Sequence, residues 1–237
     1  YERCPRQYMY GSVLNLRGRQ TRYSLSGNVI HQVLEQFYKS FKHAKDAKLD
    51  DLLALYDAAF ASAEFDNELE RRQHREDGLA MMEAFYAEEA KRTTEPVRLE
   101  QWFEFDLGTV KVRGRIDRID RHPDGRFEVI DYKTGRVESR RAYATENLQL
   151  PIYAIAMQEH LKLPLKAATI YSLKERKRIT LNLGEDLTPS AIESAKRRIL
   201  GIAAHIRGGG SNRSPSPTSA RSASSGCFVR RARRSRR

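Results

Sequence analysis

The spacing of apolar residues changes near residue 95 and divides the chain into two parts. Upstream of this point, apolar residues recur every three or four positions, as they do on one face of a helix, in residues 26–41, 50–63 and 68–91. Ser26 is the predicted start of the first helix, because a serine oxygen can accept a hydrogen bond from a free N–H group of the first turn. Residues 1–95 are therefore predicted to be mainly helical.

From Val97 onward the spacing is two, which is typical of half-buried strands. Pro123-Asp124-Gly125 predicts a tight turn, because proline presets φ and glycine accepts a positive φ. The predicted elements are strands at 97–107, 110–116 and 127–133, a helix at 148–161, strands at 168–173 and 178–183, and a helix capped by Thr188. This order predicts an α/β fold with a central mixed β-sheet flanked by helices, plus the N-terminal helical portion.

Composition separates a folded domain from a tail. The 237 residues are 40% hydrophobic and carry a formal net charge of +12, of which eight arginines lie in residues 208–237. That Gly/Ser/Arg-rich segment contains no acidic residue and no apolar periodicity, so we expect a disordered tail after a folded domain at 1–207. The excess of positive charge favours a polyanionic partner, most often nucleic acid.

The sequence lacks the marks of a membrane or disulfide-rich protein. No run reaches the roughly 18 apolar residues of a membrane span, and no apolar signal-peptide core opens the chain. Two cysteines, Cys4 and Cys227, cannot build a disulfide framework or a four-thiolate metal site. We therefore expect a cytoplasmic, intracellular protein without a membrane partner. Because the chain begins at Tyr1, we also expect it to be a fragment of something longer.

Three charged side chains form a candidate catalytic group. Asp131 and Lys133 project to the same face of one strand, and Asp117 lies on the preceding strand, across the hairpin. Two carboxylates that converge at a sheet end can bind Mg²⁺, and a neighbouring ammonium can neutralise charge on a phosphate. Two simpler interpretations stay open: Asp117 could pair with a neighbouring arginine on the surface, and Asp131 and Lys133 could form a same-face ion pair of little energetic value.

Five motifs, in order, resemble the RecB-like branch of the PD-(D/E)XK nuclease superfamily, which includes the nuclease domains of RecB- and AddB-type helicase–nucleases. They are YERCPRQYMY (1–10), GNVIHQVLEQFY (27–38), GRIDRID (114–120) with its hairpin, EVIDYKTG (128–135) and QLPIY (149–153). The resemblance covers residues 1 to about 206. It implies a restriction-endonuclease-like core, with the catalytic part in the sheet-containing residues 96–207.

The resemblance also implies roles for individual residues. Asp117 and Asp131 would be acidic metal ligands that take part in catalysis, Tyr132 would offer its backbone carbonyl to the metal, Lys133 would be the catalytic lysine, and His31 would be a further metal ligand. From the residues alone, a single histidine beside an apolar stripe is more often structural. The resemblance reverses this preference and favours the ligand role for His31.

Three further features accompany this set. Gln149 and Tyr153, at positions i and i+4, would share a helical face and position DNA or brace the site; otherwise they would be a solvated residue and a core residue. Glu100 matches an acidic position on the first strand of the family, or is an outward-facing strand residue. Many relatives bind a four-iron cluster through four cysteines. With Cys4 and Cys227 alone, a complete iron-sulfur cluster is not expected here.

The function implied by the resemblance is a Mg²⁺-dependent deoxyribonuclease, with Mn²⁺ as a substitute and exonuclease action favoured over endonuclease action. It would work with a helicase domain or subunit in DNA end processing and recombinational repair. The KTG at 133–135 lacks the glycine-rich approach of a nucleotide-binding loop, so an ATPase would lie elsewhere. A catalytically silent DNA-binding or scaffolding module and an RNA-directed nuclease stay open. Candidate phosphate contacts are the basic clusters at 17–22, 136–141, 176–178 and 196–198.

Overall fold

The computed structural model describes residues 22–65 and 67–208 of the chain. Of these, residues 22–65 and 67–203 belong to one compact unit, which contains the five strands. The helices are α1 (Arg22–Ser40), α2 (Leu49–Ala61), α3 (Glu68–Glu89), α4 (Arg140–Thr145), α5 (Gln149–Ile155) and α6 (Pro189–Arg207), with a 3₁₀ turn at Ala44–Asp46 and a π-helical turn at Ala156–His160. The strands are β1 (Glu95–Leu107), β2 (Val110–Arg121), β3 (Phe127–Lys133), β4 (Leu165–Ser172) and β5 (Lys177–Asn182).

The five strands form one mixed sheet in the order β1-β2-β3-β4-β5. Neighbouring strands are antiparallel except for β3 and β4, which run parallel. A parallel pair needs a crossover connection, and α4 and α5 lie in that connection. The predicted mixed sheet with an N-terminal helical part is confirmed.

Each face of the sheet covers its own apolar core. Because side chains alternate along β3, Val129 faces one core, whereas Ile130 and Tyr132 face the other. The first core joins the sheet to the crossover helices and to Ile192 of α6. The second core joins the sheet to the N-terminal helices, through buried residues such as Phe37, Leu52, Tyr56 and Phe85.

Several helix ends follow from local hydrogen bonds. The Asn67 side chain accepts from the N–H of Glu70 at the start of α3, and Thr188 accepts from the N–H of Ala191 at the start of α6, as predicted. The predicted cap at Ser26 is wrong, because α1 already begins at Arg22 and Ser26 lies within it.

Two further differences from the expected elements concern the sheet and its crossover. Strand β2 runs to Arg121, five residues beyond the predicted end, because Ile119 is buried and the strand continues to the hairpin turn. The single helix expected at 148–161 is a short α5 followed by a π-helical turn, in which the N–H of Leu161 donates to the carbonyl of Ala156. Helix α4 was not anticipated.

A fully buried arginine, Arg118, ties β2 to three other elements. Its guanidinium lies 2.8 Å from Glu89 of α3 and 2.7 Å from Asp120 of its own strand, and it donates to the Tyr132 hydroxyl of β3 at 2.8 Å. Its Cζ atom lies 4.6 Å from the ring centre of Tyr38 in α1. Burial disfavours a charged arginine, but these partners outweigh that cost and raise the pKa of Arg118 well above its ordinary value.

Replacing Arg118 is expected to destabilise the fold strongly. Arg118→Met leaves two buried carboxylates short of a partner, which should lower the free energy of unfolding by about 3–5 kcal/mol. Arg75→Met is the matched control, because Arg75 pairs with Asp57 at the surface, where an ion pair is worth about 1 kcal/mol or less. Urea denaturation followed by circular dichroism measures both values. Equal losses for the two variants would contradict the structural role of Arg118.

Two helical glycines are expected to respond oppositely to alanine. A Cβ atom at Gly78 of α3 would lie 2.8 Å from Cε2 of buried Tyr56 and closer to its hydroxyl end, so Gly78→Ala should cost about 1–3 kcal/mol through overpacking. At Gly201 of α6 a Cβ atom meets nothing within 4 Å, so Gly201→Ala should stabilise by about 0.5–1 kcal/mol. The shift of the urea midpoint gives each sign, and a stabilising Gly78→Ala would contradict the close packing.

Candidate metal site

Strands β2 and β3 separate at the point where the candidate acidic residues lie. Their ladder ends at the pair Arg118 and Ile130, after which β2 pairs only with β1, and β3 only with β4. Asp117 and Asp131 are the next residues on the two strands. The sequence could not fix this register, and the structure places both aspartates at the fork between the strands.

Asp117 closes the fork with its side chain. Its Oδ2 atom accepts a hydrogen bond from the backbone N–H of Tyr132 at 2.8 Å, and Nδ1 of His31 lies 3.3 Å from the same oxygen. A Cβ atom at Gly27, one turn before His31, would already lie 3.3 Å from Oγ1 of Thr134, so a small residue there lets α1 approach the end of β3 closely. Helix α1 thereby brings His31 to the fork.

Asp131 is held from three sides. Its Oδ1 atom accepts hydrogen bonds from Nε2 of Gln149 and from the hydroxyl of Tyr153, each at 2.7 Å, and Lys133 Nζ lies 2.7 Å from Oδ2. Gln149 also donates to the Tyr153 hydroxyl at 3.0 Å. Gln149 and Tyr153 do share the helical face expected from their spacing. That face braces Asp131, and Tyr153 contributes to the core at the same time.

Glu100 joins this group from β1. It lies opposite Asp117, between the pairs Leu99–Arg118 and Gln101–Ile116. Its φ of +47° is unusual for a residue other than glycine, and such strain is often found at functional sites.

Glu100, His31 and Asp117 offer one ligand atom each, and these three atoms all lie within 4.8 Å of one another. From the sequence, Glu100 is a candidate acidic position but not one of the expected ligands. Only the cross-strand register, which the sequence does not fix, makes it the neighbour of Asp117.

The surface salt bridge considered for Asp117 is not formed. Arg115 pairs with Glu100 at 2.6 Å, and Arg118 points into the opposite core. The ion pair between Asp131 and Lys133 is present, but it belongs to a larger set of contacts around Asp131. Both simpler interpretations therefore fail to account for the whole arrangement, although the ligand roles of these residues stay predictions.

Negative charge accumulates at the fork and shifts the pKa values of its groups. Burial raises the pKa of Glu100 and of Asp131, and the charge of Asp117 raises both further. Burial lowers the pKa of His31, but its hydrogen bond to Asp117 and the charges of Asp117, Asp131 and Glu100 outweigh this effect and raise it overall. The carboxylates of Glu100 and Asp131 therefore hold protons more tightly than usual, mainly because they are buried and in addition because a third carboxylate lies beside them.

The donor set fits a divalent cation. Oε2 of Glu100 and Oδ2 of Asp131 are buried and accept no hydrogen bond of ordinary geometry from the described residues, although each lies in an ion pair. Carboxylate oxygens with one imidazole nitrogen suit Mg²⁺ or Mn²⁺ better than a soft metal. His31, Glu100 and Asp117 would hold the cation, with Asp131 beside them. The backbone of Tyr132 lies at the same fork, where its N–H is engaged by Asp117.

Three of the predicted basic contacts are engaged elsewhere in the fold. Arg178 pairs with buried Glu89, Lys196 pairs with Glu159 and Glu193, and Arg140 pairs with Asp186. These side chains stabilise the fold rather than extend freely toward a phosphate. The side chains of the cluster at 17–22, together with Cys4 and Cys227, lie outside the described residues.

Comparison with known proteins gives the family. A family model of the PD-(D/E)XK nuclease superfamily matches residues 1–232, so the chain belongs to this superfamily, as predicted. The mixed sheet and its helices are consistent with the expected restriction-endonuclease-like fold. No curated protein matches the chain.

Among solved structures, the chain is similar to protein VC1899 from Vibrio cholerae. The two share 16% sequence identity with a TM-score of 0.27, over 84% of this chain and 53% of that protein. The chain thus spans about half the length of that structure. Within the part of the chain that the structure describes, no helix is long and apolar enough to cross a membrane.

Cation binding at the fork is expected to strengthen as pH rises. Raised pKa values let three groups retain protons to a higher pH than usual: His31, Glu100 and Asp131. A cation binds the deprotonated groups, so its binding should release protons. Lowering the pH from about 8 to about 5.5 should therefore weaken Mn²⁺ binding. Isothermal titration calorimetry in two buffers of different ionisation enthalpy measures both effects. Asp117→Asn should abolish binding, whereas exposed Glu64→Gln is the control. Binding independent of pH would contradict the site.

Proposed function

We propose that this chain is a divalent-metal-dependent deoxyribonuclease that hydrolyses phosphodiester bonds at the fork between β2 and β3. The observation that supports this function best is the convergence of Asp117, Asp131 and Lys133 with His31 and Glu100 at one point of the sheet. Membership of the PD-(D/E)XK nuclease superfamily supports the same chemistry.

The residues around the fork have different roles in the proposed hydrolysis. When bound, a divalent cation supplies a Lewis acid and lowers the pKa of a water ligand. Lys133, whose side chain is 35% exposed, stands beside Asp131 and can donate to a phosphate oxygen or to the attacking water. Gln149 and Tyr153 keep the Asp131 carboxylate in one orientation through their hydrogen bonds. Preorganised groups of this kind need no rearrangement when charge develops.

We further propose that this chain belongs to the RecB-like branch and uses Mg²⁺ as its cation, with Mn²⁺ as a substitute. Three of the five branch motifs contribute His31, Asp117 and Asp131 to one site, and a fourth adds Gln149 and Tyr153. The resemblance to this branch favours exonuclease action, a helicase domain or subunit as partner, and a role in DNA end processing and repair.

Lys133→Met is expected to lower DNA cleavage by about a hundredfold or more, because it removes the cationic donor while keeping the length of the side chain. The measurement uses end-labelled single-stranded and double-stranded DNA with Mg²⁺ or Mn²⁺, and labels at opposite ends distinguish exonuclease from endonuclease products. RNA of the same sequence is tested in parallel.

Lys42→Met is the matched control, because Lys42 is an exposed lysine that pairs with Glu95, whose strand partner Arg121 lies at the hairpin end of β2 and not at the fork. It should cleave DNA like the unmodified chain. Equal rates for the Lys133→Met variant and the unmodified chain would exclude the proposed role. DNA binding without any cleavage would instead support a catalytically silent binding module.

A further inference from the structure

The chain's only tryptophan lies exposed beside the candidate site. Trp102 of β1 is 62% exposed, and the other exposed large apolar side chains of the described residues are Leu69, Val97 and Leu200. Trp102 is therefore the one aromatic ring in this set. The neighbouring residues Phe103 and Phe105 are buried, so strand alternation directs Trp102 away from the core that they fill.

A short path of contacts connects Trp102 to the fork. Trp102 is the cross-strand partner of Arg115, and Nε of Arg115 lies 2.6 Å from Oε2 of Glu100. Glu100 is one of the three clustered ligand residues. The exposed ring thus stands one cross-strand pair away from the candidate metal site, on the arm of the β1–β2 hairpin that extends beyond the fork.

Basic side chains follow the same exposed side of this arm. Lys111, Arg113 and Arg115 alternate with less exposed residues along β2. Lys111 is engaged by Glu104 and Asp106, whereas Arg113 makes no ion pair with any residue in 22–65 or 67–208. Two acidic residues of β1, Glu100 and Glu104, each lie two positions from Trp102, but they pair with Arg115 and Lys111. Among the described residues, the unpaired charge beside Trp102 is therefore that of Arg113.

We propose that Trp102, Arg113 and Arg115 form a binding surface for single-stranded DNA. This inference rests on the proposed nuclease function and deepens it by naming the form of the substrate. An unpaired base stacks on the indole ring of Trp102, and the two guanidinium groups contact the flanking phosphates. Arg115 is held by Glu100 in the protein alone, so its contact with phosphate competes with this ion pair.

The chemistry of this surface favours an unpaired strand over a duplex or a protein. Every base has a face that can stack on an aromatic ring, but the faces are covered in a duplex. Arginines beside an exposed ring complement a phosphate backbone, and the bound strand then lies next to Glu100 at the acidic fork. Binding of a protein at this surface would not account for the closeness of Trp102 to the candidate metal site.

Intrinsic fluorescence tests this surface directly, because Trp102 is the sole source of tryptophan emission. A twelve-residue oligothymidylate is titrated in EDTA, which prevents metal-dependent cleavage. We expect saturable quenching of Trp102 emission. A duplex of equal length should quench much less at the same nucleotide concentration.

Variants separate stacking from general structure. In an anisotropy assay with the labelled oligonucleotide, Trp102→Ala should weaken binding by about tenfold to a hundredfold, and Trp102→Phe should retain most of the affinity. Arg113→Ala should weaken binding and reduce its dependence on salt. Leu69→Ala is the control, because Leu69 is 72% exposed on α3 and should bind DNA like the unmodified chain.

Four outcomes would overturn the proposal: no detectable binding, binding without a change in Trp102 emission, equal affinity for duplex and single strand, or equal binding by Trp102→Ala and Leu69→Ala. Emission that responds to protein concentration instead of DNA would show that a second copy covers the ring. DNA cleavage without any change in Trp102 emission would overturn only the proposed binding surface. Quenching of Trp102 emission by DNA, without cleavage in the presence of any metal, would overturn only the proposed nuclease function.

Discussion

The geometry of the candidate site depends on the buried hydrogen bond between Arg118 and the Tyr132 hydroxyl. Arg118 and Tyr132 are the immediate neighbours of Asp117 and Asp131, respectively, and side chains alternate across a strand. Fixing the buried pair therefore fixes where the two carboxylates project. Buried ion pairs add little net stability, because the desolvation of both groups offsets their attraction. We infer that Arg118, with Glu89 and Asp120, mainly specifies how β2 and β3 lie relative to each other and to α3.

The fork itself is a consequence of the ladder's end. Beyond Arg118 and Ile130, the N–H of Tyr132 bonds to the Asp117 side chain in place of a backbone carbonyl. The Asp117 carboxylate thus replaces a backbone carbonyl as the acceptor, so the N–H of Tyr132 keeps a hydrogen bond although the strands separate. The resulting gap admits His31 from one side and Gln149 with Tyr153 from the other. The acidic residues gather at the fork, where burial raises the pKa values of Glu100 and Asp131 and the charge of Asp117 raises them further.

The local spacing of residues predicted much of this arrangement. It did not predict the register of the strands or the partners of the charged side chains. Alternation alone placed Asp131 and Lys133 on one face, and the i, i+4 spacing placed Gln149 and Tyr153 together. The importance of Glu100 could not be deduced, because its neighbour depends on which residues of β1 and β2 pair. From the sequence, Arg178 and Lys196 are candidate phosphate contacts, and only the fold shows that carboxylates engage them. A sequence gives the sign of each charged side chain, but its partner depends on which distant segments the fold brings together.

The balance of charge at the fork links the binding of a cation to the binding of the substrate. Asp117, Asp131 and Glu100 face Lys133 and Arg115, and the raised pKa of His31 shows that the cluster still attracts protons. A phosphodiester is itself an anion, so the acidic cluster repels it unless further positive charge is present. Each binding event relieves the repulsion that opposes the other, and linkage requires the effect to be equal in both directions. The carboxylates of the fork thereby weaken the binding of DNA to the protein alone, and a bound cation should raise the affinity for DNA.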